Sequence, residues 1–259
     1  HGLITNIGKA HIGEMGGIEG IQKTKGELFN YIKDHKGVFF LNEEDSRLVI
    51  MAVKGMSVVG ATYGAADVLE YHTLLLGQHN KQNIAAARAV GLFFGIEEEA
   101  IKKAISAYLP HSGRSEWLMW QGNKVLFDAY NANPSSMEIA LESFAELPEI
   151  SGDFKVAILG GMRELGTHQY LEHSSTFFQV RNFIEAGKLQ LAYFVGPEFY
   201  EVYEKETEER NPKLIFFKDI IDLKKHFENE GYPNAKTIFM KASKGLGKEP
   251  MLKQILSWE

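Results

Sequence analysis

The sequence predicts an α/β protein built on a mostly parallel, doubly wound sheet. Three observations lead there. Short apolar runs of strand length alternate with amphipathic stretches of helix length, most regularly after residue 150, and that alternation marks βαβ units. Hydrophobic residues make up 44% and charged residues 24% of the 259 positions, enough to bury a large core without covalent staples. There is no cysteine, so a disulfide scaffold, a thiolate zinc site and a cysteine nucleophile are excluded.

The strands are expected at 3–7, 38–41, 58–63, 73–76, 115–120, 124–128, 154–159, 191–195, 213–217 and 237–240. Each is a short apolar run rich in β-branched or aromatic residues. The helices are expected at 18–33, 82–94, 97–108, 136–147, 170–186, 197–206, 220–229 and 251–257, where apolar residues recur at helical spacing. Leu109-Pro110-His111-Ser112-Gly113 follows an amphipathic helix and carries Pro and Gly, so it is the expected domain boundary. Domains are therefore expected at 1–110 and 111–259.

The charge pattern narrows the function classes. The formal net charge is −6, which argues against a nucleic-acid surface. No apolar run approaches the ~20 residues of a membrane span, and residues 1–20 do not read as a signal peptide. A cytoplasmic monomer is expected, with no membrane insertion. The first residues read as the end of a strand, so further chain is expected upstream of His1.

One lysine stands out. On a helical wheel at about 100° per residue, Lys25 falls within about 60° of Ile18, Ile21, Leu28, Phe29 and Ile32, in the middle of the expected apolar face. A lysine there packs its stem and lets its amine reach out, or it has a depressed pKa. A neutral amine reacts with CO₂ to give a carbamate, which offers the hard oxygen donors that Mg²⁺ prefers. His11 lies on a loop after the first strand, at the strand end where ligands gather in open α/β sheets.

Several segments, in order, resemble the Mur ligase superfamily of ATP-dependent amide-forming enzymes. Thr5-Asn6-Ile7-Gly8-Lys9-Ala10-His11 and Lys25-Gly26-Glu27-Leu28-Phe29 are similar to its central domain. Leu76-Gly77-Gln78-His79-Asn80 with Asn83, Ala85 and Ala86 is similar to its G-x-HN-x-x-N-x-x-A segment. Gly113-Arg114 resembles the arginine that opens its C-terminal domain. Asp128-Ala129-Tyr130-Asn131-Ala132-Asn133-Pro134-Ser135-Ser136-Met137 resembles the D-x-YNANP-x-SM signature of the MurF type. Leu159 to Gly166 resembles the LGDM-x-ELG segment, with His173 downstream, and Lys241-Ala242-Ser243-Lys244-Gly245 its KGSR-type segment.

The resemblance implies a partial P-loop-type central domain over 1–110 followed by a Rossmann-like C-terminal domain over 111–259. It implies ATP and Mg²⁺ as cofactors, and a UDP-N-acetylmuramoyl-tripeptide and D-alanyl-D-alanine as substrates. Lys25 would be the carbamylated lysine and His11 a second metal ligand. Asn80 and Asn83 would lie near the adenine, Arg114 near the phosphates and Asp128 near the ribose. Tyr130, Asn131 and Asn133 would line the nucleotide side of a cleft, and Lys241 and Ser243 would bind the incoming amino component.

Three departures accompany it. The phosphate loop of the family is absent and is expected upstream of residue 1, so the 259 residues alone are expected not to turn over ATP. The stretch 64–76 is shorter than in the family. Gly161 stands where the LGDM segment has its aspartate. The competing readings are another amide ligase of the superfamily, such as a folylpolyglutamate synthase, and a non-catalytic binding module derived from one.

Overall fold

The computed structural model describes residues 1–55, 59–148, 154–206, 211–235, 237–244 and 251–257. The chain forms two compact units, His1–Leu109 and Pro110–Glu259.

The first unit runs β1 (Gly2–Ile4), α1 (Gly17–Asp34), β2 (Phe39–Asn42), α2 (Ser46–Gly55), β3 (Val59–Tyr63), α3 (Gln78–Phe93) and α4 (Glu98–Ser106). Its three strands form a parallel sheet in the order β1-β2-β3. Successive side chains on a strand face opposite ways, and the two phenylalanines of β2 show it. Phe39 meets Phe29 of α1 edge-on at 4.9 Å. Phe40, on the other face, packs with Tyr63 and with Ile84, Ala85, Ala86 and Ala89 of α3. The buried positions of α1 are Ile21, Gly26, Phe29 and Ile32. A Cβ at Gly26 would lie 3.2 Å from the Met51 methyl, so glycine lets α1 and α2 approach.

The sequence expectations fail here in three places. The strand expected at 3–7 stops at Ile4, because the Thr5 carbonyl and the Ile7 amide go to the side chains of Asn42 and Asp45 and not to a ladder. Residues 73–76 form no strand: they are coil, turned by the Leu75 amide donating to Thr73 Oγ1 at 3.1 Å. Their three leucines suggest strand, but no neighbouring chain offers a ladder. Helix α2 was not expected. Its Val49, Ile50 and Val53 have strand propensity, and its start is fixed instead by Asp45, whose Oδ1 accepts from the amides of Arg47 and Leu48 at 3.0 and 3.2 Å, a side-chain cap. The expected strand at 58–63 begins at Val58, which lies outside the described residues.

The second unit runs β4 (Glu116–Trp120), β5 (Asn123–Asp128), α5 (Pro134–Ala145), β6 (Lys155–Gly160), α6 (Gln169–Glu185), β7 (Leu191–Val195), α7 (Pro197–Glu206), β8 (Leu214–Phe217), α8 (Ile220–Glu230) and β9 (Thr237–Lys241). The sheet order is β4-β5-β9-β6-β7-β8. Only the β4–β5 hairpin is antiparallel; the other pairings are parallel. At 251–257 there are two short 3₁₀ turns in place of the expected α-helix.

Both faces of this sheet are covered. On one, Val125, Phe127, Val156, Ile158, Tyr193, Val195, Ile238 and Met240 pack with Leu223 and Phe227 of α8 and with Leu252 and Ile255. On the other, Phe144 of α5 stacks on Phe239 at 5.2 Å, and Phe177 of α6 and Phe199 of α7 meet Phe194. Strand β9 is the last in sequence among the described residues yet lies in the middle of the sheet. From its neighbour β6 the chain leads to α6, on the face of Phe239. After β9, Leu252 and Ile255 belong to the opposite face. Chains departing to opposite sides of adjacent strands leave a crevice at the strand ends, which is where ligands bind in open α/β sheets.

A buried cation stabilises this unit. Lys155 is 2% exposed, and its Nζ donates to the carbonyls of Ala145 and Leu147, at 3.0 and 2.7 Å, where α5 ends. A cation suits the negative end of a helix dipole. Replacing Lys155 with Met, which fills the same space but donates nothing, is expected to cost about 1–3 kcal/mol through the stranded carbonyls. The urea midpoint of the transition that melts this sheet measures it; an unchanged midpoint contradicts the assignment.

Candidate functional site

The crevice of the second unit is floored by an ion pair. Asp128 ends β5 and Lys241 ends β9, and the two are direct register partners. Lys241 Nζ donates to Asp128 Oδ2 at 2.5 Å and to the Asn131 carbonyl at 3.2 Å. The side chains are 3% and 16% exposed. The other Asp128 oxygen accepts from the Ser115 amide at 3.0 Å. A pair taken this far from water holds only when its remaining hydrogen bonds are met, and these are.

Ser243 ties three strand ends together. Its Oγ donates to the Ala132 carbonyl at 2.8 Å and accepts from the Arg163 amide at 3.2 Å. Its own amide donates to the Gly161 carbonyl at 3.1 Å. The segments after β5, β6 and β9 are thereby cross-linked at the crevice. Asn131, on the same rim, is exposed, and its Oδ1 lies 3.4 Å from Ser243 Oγ. Of the residues singled out in the sequence, Asp128, Asn131, Lys241 and Ser243 come together here. Gly245 of the last motif lies outside the described residues.

Others have local work. Asn133 is the N-cap of α5, with Pro134 after it: its Oδ1 accepts from the Ser136 amide at 3.0 Å, and Ser136 Oγ accepts from the Asn133 amide at 3.0 Å. Its side chain orients the helix. Tyr130 is 41% exposed, and the Arg114 guanidinium lies 3.7 Å from its ring centre. That stacking holds a planar cation at the surface, with its edge donors open. The turn behind it needs glycine. Gly113 has φ +71°, and a Cβ there would lie 3.0 Å from the Phe127 ring.

In the first unit the strand ends also gather polar groups. After β1, the Thr5 carbonyl accepts from Asn42 Nδ2 at 2.9 Å, and the Ile7 amide donates to Asp45 Oδ2 at 2.7 Å. Lys25, half-buried on α1, donates from Nζ to the Asn6 carbonyl at 2.8 Å. Its pKa is lowered by burial, against a smaller pull upward from Asp45. His11 sits on an exposed loop with φ +58°, its Nδ1 3.6 Å from Glu14 Oε2. Asn80, 8% exposed, donates from Nδ2 to the Leu76 carbonyl at 2.8 Å and so braces the start of α3. Asn83 is exposed, one helical turn on, with Nδ2 3.4 Å from Asn80 Oδ1.

With this geometry in hand, comparison with known proteins is direct. Residues 1–70 match the Mur ligase middle domain. The chain is 27% identical over 283 aligned residues to the UDP-N-acetylmuramoyl-tripeptide–D-alanyl-D-alanine ligase of Bacillus subtilis, an alignment covering 98% of the chain and 58% of that protein. The first 70 residues are thus similar to a Mur ligase domain, and nearly the whole chain is similar to that Bacillus subtilis ligase. To the enzyme of the same name from Treponema pallidum it is 29% identical over 79% of the chain and 47% of that protein. The crystal structure of MurF from Acinetobacter baumannii superposes with a TM-score of 0.76 at 23% identity, covering 99% of this chain and 59% of that one. The chain thus spans about half the length of the curated relatives it matches. Among the described residues no helix is long and apolar enough to cross a membrane.

Two residues of this crevice were not assigned a role from sequence. His173, fully buried, accepts the Met162 amide on Nε2 at 2.9 Å, and its Nδ1 meets the Gln169 carbonyl at 2.7 Å. Glu198, in the first turn of α7, turns back over Gly161 and Gly196. The resemblance marked His173 only as the histidine downstream of the Leu159–Gly166 segment, and an acid in a first helical turn is too common a pattern to signal a role.

Burial holds the His173 pKa below its ordinary value. A histidine whose folded pKa is depressed binds fewer protons folded than unfolded, so stability falls as pH drops below about 6.5 toward the folded pKa. Between pH 7 and pH 5 the protein is expected to lose stability, and His173→Gln to flatten that slope. Thermal melts across the range decide it; an equal slope in the variant refutes the assignment.

Proposed function

We propose that the chain is the nucleotide- and amine-handling portion of a cytoplasmic ATP-dependent ligase that joins D-alanyl-D-alanine to UDP-N-acetylmuramoyl-tripeptide, a step of peptidoglycan synthesis. The single observation behind this is that the likeness to ligases of that name runs through both units, through the lysine on α1 and the Asp128–Lys241 crevice alike. The chemistry is consistent with it. The peptide carboxylate attacks the γ-phosphate of ATP, ADP leaves, and the acyl phosphate formed is attacked by the amine of the dipeptide. A tetrahedral intermediate then expels phosphate and leaves an amide. Such steps need positioning and charge neutralisation more than covalent help from the protein.

The residues divide this work. Arg114, held flat over Tyr130, offers edge donors to phosphate oxygens. Asp128 keeps free lone pairs for a ribose hydroxyl while Lys241 and Ser115 hold it still. Asn131 lines the same rim, and Asn133 sets the helix behind it. Asn80 shapes the turn from which Asn83 reaches toward the adenine. Lys241 and Ser243 fix the crevice floor for the amino component.

Magnesium takes hard oxygen donors, and Lys25 fits it only as a carbamate, since an ammonium repels a cation. Desolvation favours the neutral amine that carbamylation requires. Lys25 as its carbamate and His11 would hold the ion, which when bound neutralises phosphate charge.

Two outcomes are expected. With isotopically labelled bicarbonate, the enzyme shows one carbamate carbonyl signal, appearing at a lower pH than for an exposed lysine and missing in Lys25→Arg. In an assay of the full-length enzyme with ATP, the UDP-linked tripeptide and the dipeptide, Lys25→Ala lowers kcat by about a hundredfold or more, as removal of a key charge stabiliser does, and short carboxylic acids restore part of it. Absence of ligase activity in the wild-type enzyme overturns the proposal.

A further inference from the structure

Glu198 places a carboxylate where the backbone has left room for one. It belongs to the first turn of α7, and its side chain folds back over the ends of two neighbouring strands. A Cβ on Gly161 would lie 2.6 Å from Glu198 Oε2 and 2.9 Å from its carboxyl carbon. A Cβ on Gly196 would lie 2.8 Å from the same oxygen. Real Cβ atoms do not approach so closely, so the carboxylate rests on a floor of two glycines, after β6 and after β7. The Gly161 carbonyl accepts the Ser243 amide, which puts this floor on the rim of the crevice.

Among the described residues, the protein supplies this carboxylate with no cation. No lysine, arginine or histidine among them makes a salt bridge to Glu198, whereas Asp128 has Lys241. The nearest imidazole does not serve. His173 spends both ring nitrogens on the Met162 amide and the Gln169 carbonyl, and burial keeps it neutral. The other charges acting on His173 are the carboxylates of Glu172 and Glu201, which cannot pair with Glu198. A half-buried carboxylate without a partner is a site for a cation from outside.

Position 161 adds a second, independent observation. The motif that residues 159–166 resemble has an aspartate there, and this chain has glycine. The acid is missing from the end of β6, and one arrives on the same spot from α7.

We propose that Glu198 binds the ammonium group of the incoming amino component, and that Gly161 is the space that admits it. This rests on the amide-ligase reading, in which one substrate is a primary amine that is protonated at neutral pH. Glu198 is a binding residue: it pairs with the ammonium and draws the amine to the crevice before that nitrogen gives a proton to solvent water and attacks. A phosphate or carboxylate would be repelled from this floor, so the anionic groups of the substrates lie elsewhere.

The test uses the full-length enzyme and two readouts. In steady-state kinetics Glu198→Gln is expected to raise the KM for D-alanyl-D-alanine about tenfold, the worth of a charge-assisted contact, and to leave the KM for ATP within about twofold. In titration calorimetry the wild type is expected to bind D-alanyl-D-alanine more tightly than its N-acetyl form, which lacks the ammonium, and Glu198→Gln to bind both alike. The double variant Gly161→Asp with Glu198→Ala, which moves the acid back to β6, is expected to recover part of the dipeptide KM. An unchanged dipeptide KM in a folded, active Glu198→Gln overturns the inference, as does an equal rise for ATP, which marks a merely structural role. If the wild type shows no ligase activity but discriminates the ammonium through Glu198, the amide-ligase reading falls and the ammonium site stands.

Discussion

The pairing of Lys241 with Asp128 is the interaction on which the second unit's site depends. It joins the ends of two adjacent parallel strands and removes two charges from water together. Breaking one side of such a pair leaves an uncompensated buried charge, which costs far more than the pair contributes when intact. Its geometry also fixes what surrounds it. Lys241 reaches the Asn131 carbonyl, Ser115 closes on Asp128 from the β4 side, and Ser243 follows Lys241 by two residues and cross-links three strand ends. The floor of the crevice is ionic, and its walls are hydrogen-bonded to that floor.

The first unit solves a different problem with the same edge of its sheet. There a lysine is brought half-way into an apolar helix face, and among the described residues its amine donates to a neutral carbonyl. Desolvation therefore acts on it with little opposition, and Asp45, which could have neutralised it, is engaged by three backbone amides. One unit stabilises charge by pairing it, and the other destabilises charge by withholding a partner. The first arrangement suits a scaffold, the second a group that reacts.

Much of the fold was legible in the sequence because parallel sheets announce themselves. Their strands are buried on both faces, so 154–159, 191–195 and 237–240 read as continuous apolar runs. The apolar face of α1 was legible in part: Ile21, Phe29 and Ile32 recur at helical spacing and are buried, while Leu28, at the edge of the expected face, is 43% exposed. Helix α2 escaped because β-branched residues at exposed positions, such as Ile50 and Val53, send the wrong local signal while a single capping aspartate decides the outcome. The leucines at 74–76 misled for the opposite reason: strand composition without a partner gives coil. The contacts of the crevice were invisible in principle. Asp128 and Lys241 stand 113 residues apart, and no local pattern encodes the register that joins them. Glu198 looked like any acid at a helix start; only the missing side chains at Gly161 and Gly196 give it meaning.

The place of β9 in the sheet has a consequence for how the protein comes into being. The strand that separates β5 from β6 is made after both of them. During synthesis, or in refolding, the two halves of this sheet have no shared ladder until residues 237–241 arrive, and the contacts they then make reach back from Thr237 to Lys155 on one side and to Lys124 on the other. Such closure is slow for entropic reasons. The lysine that neutralises Asp128 and the serine that ties the rim arrive on that same late segment. The site is therefore absent from every shorter nascent chain, and it forms in the step that completes the sheet.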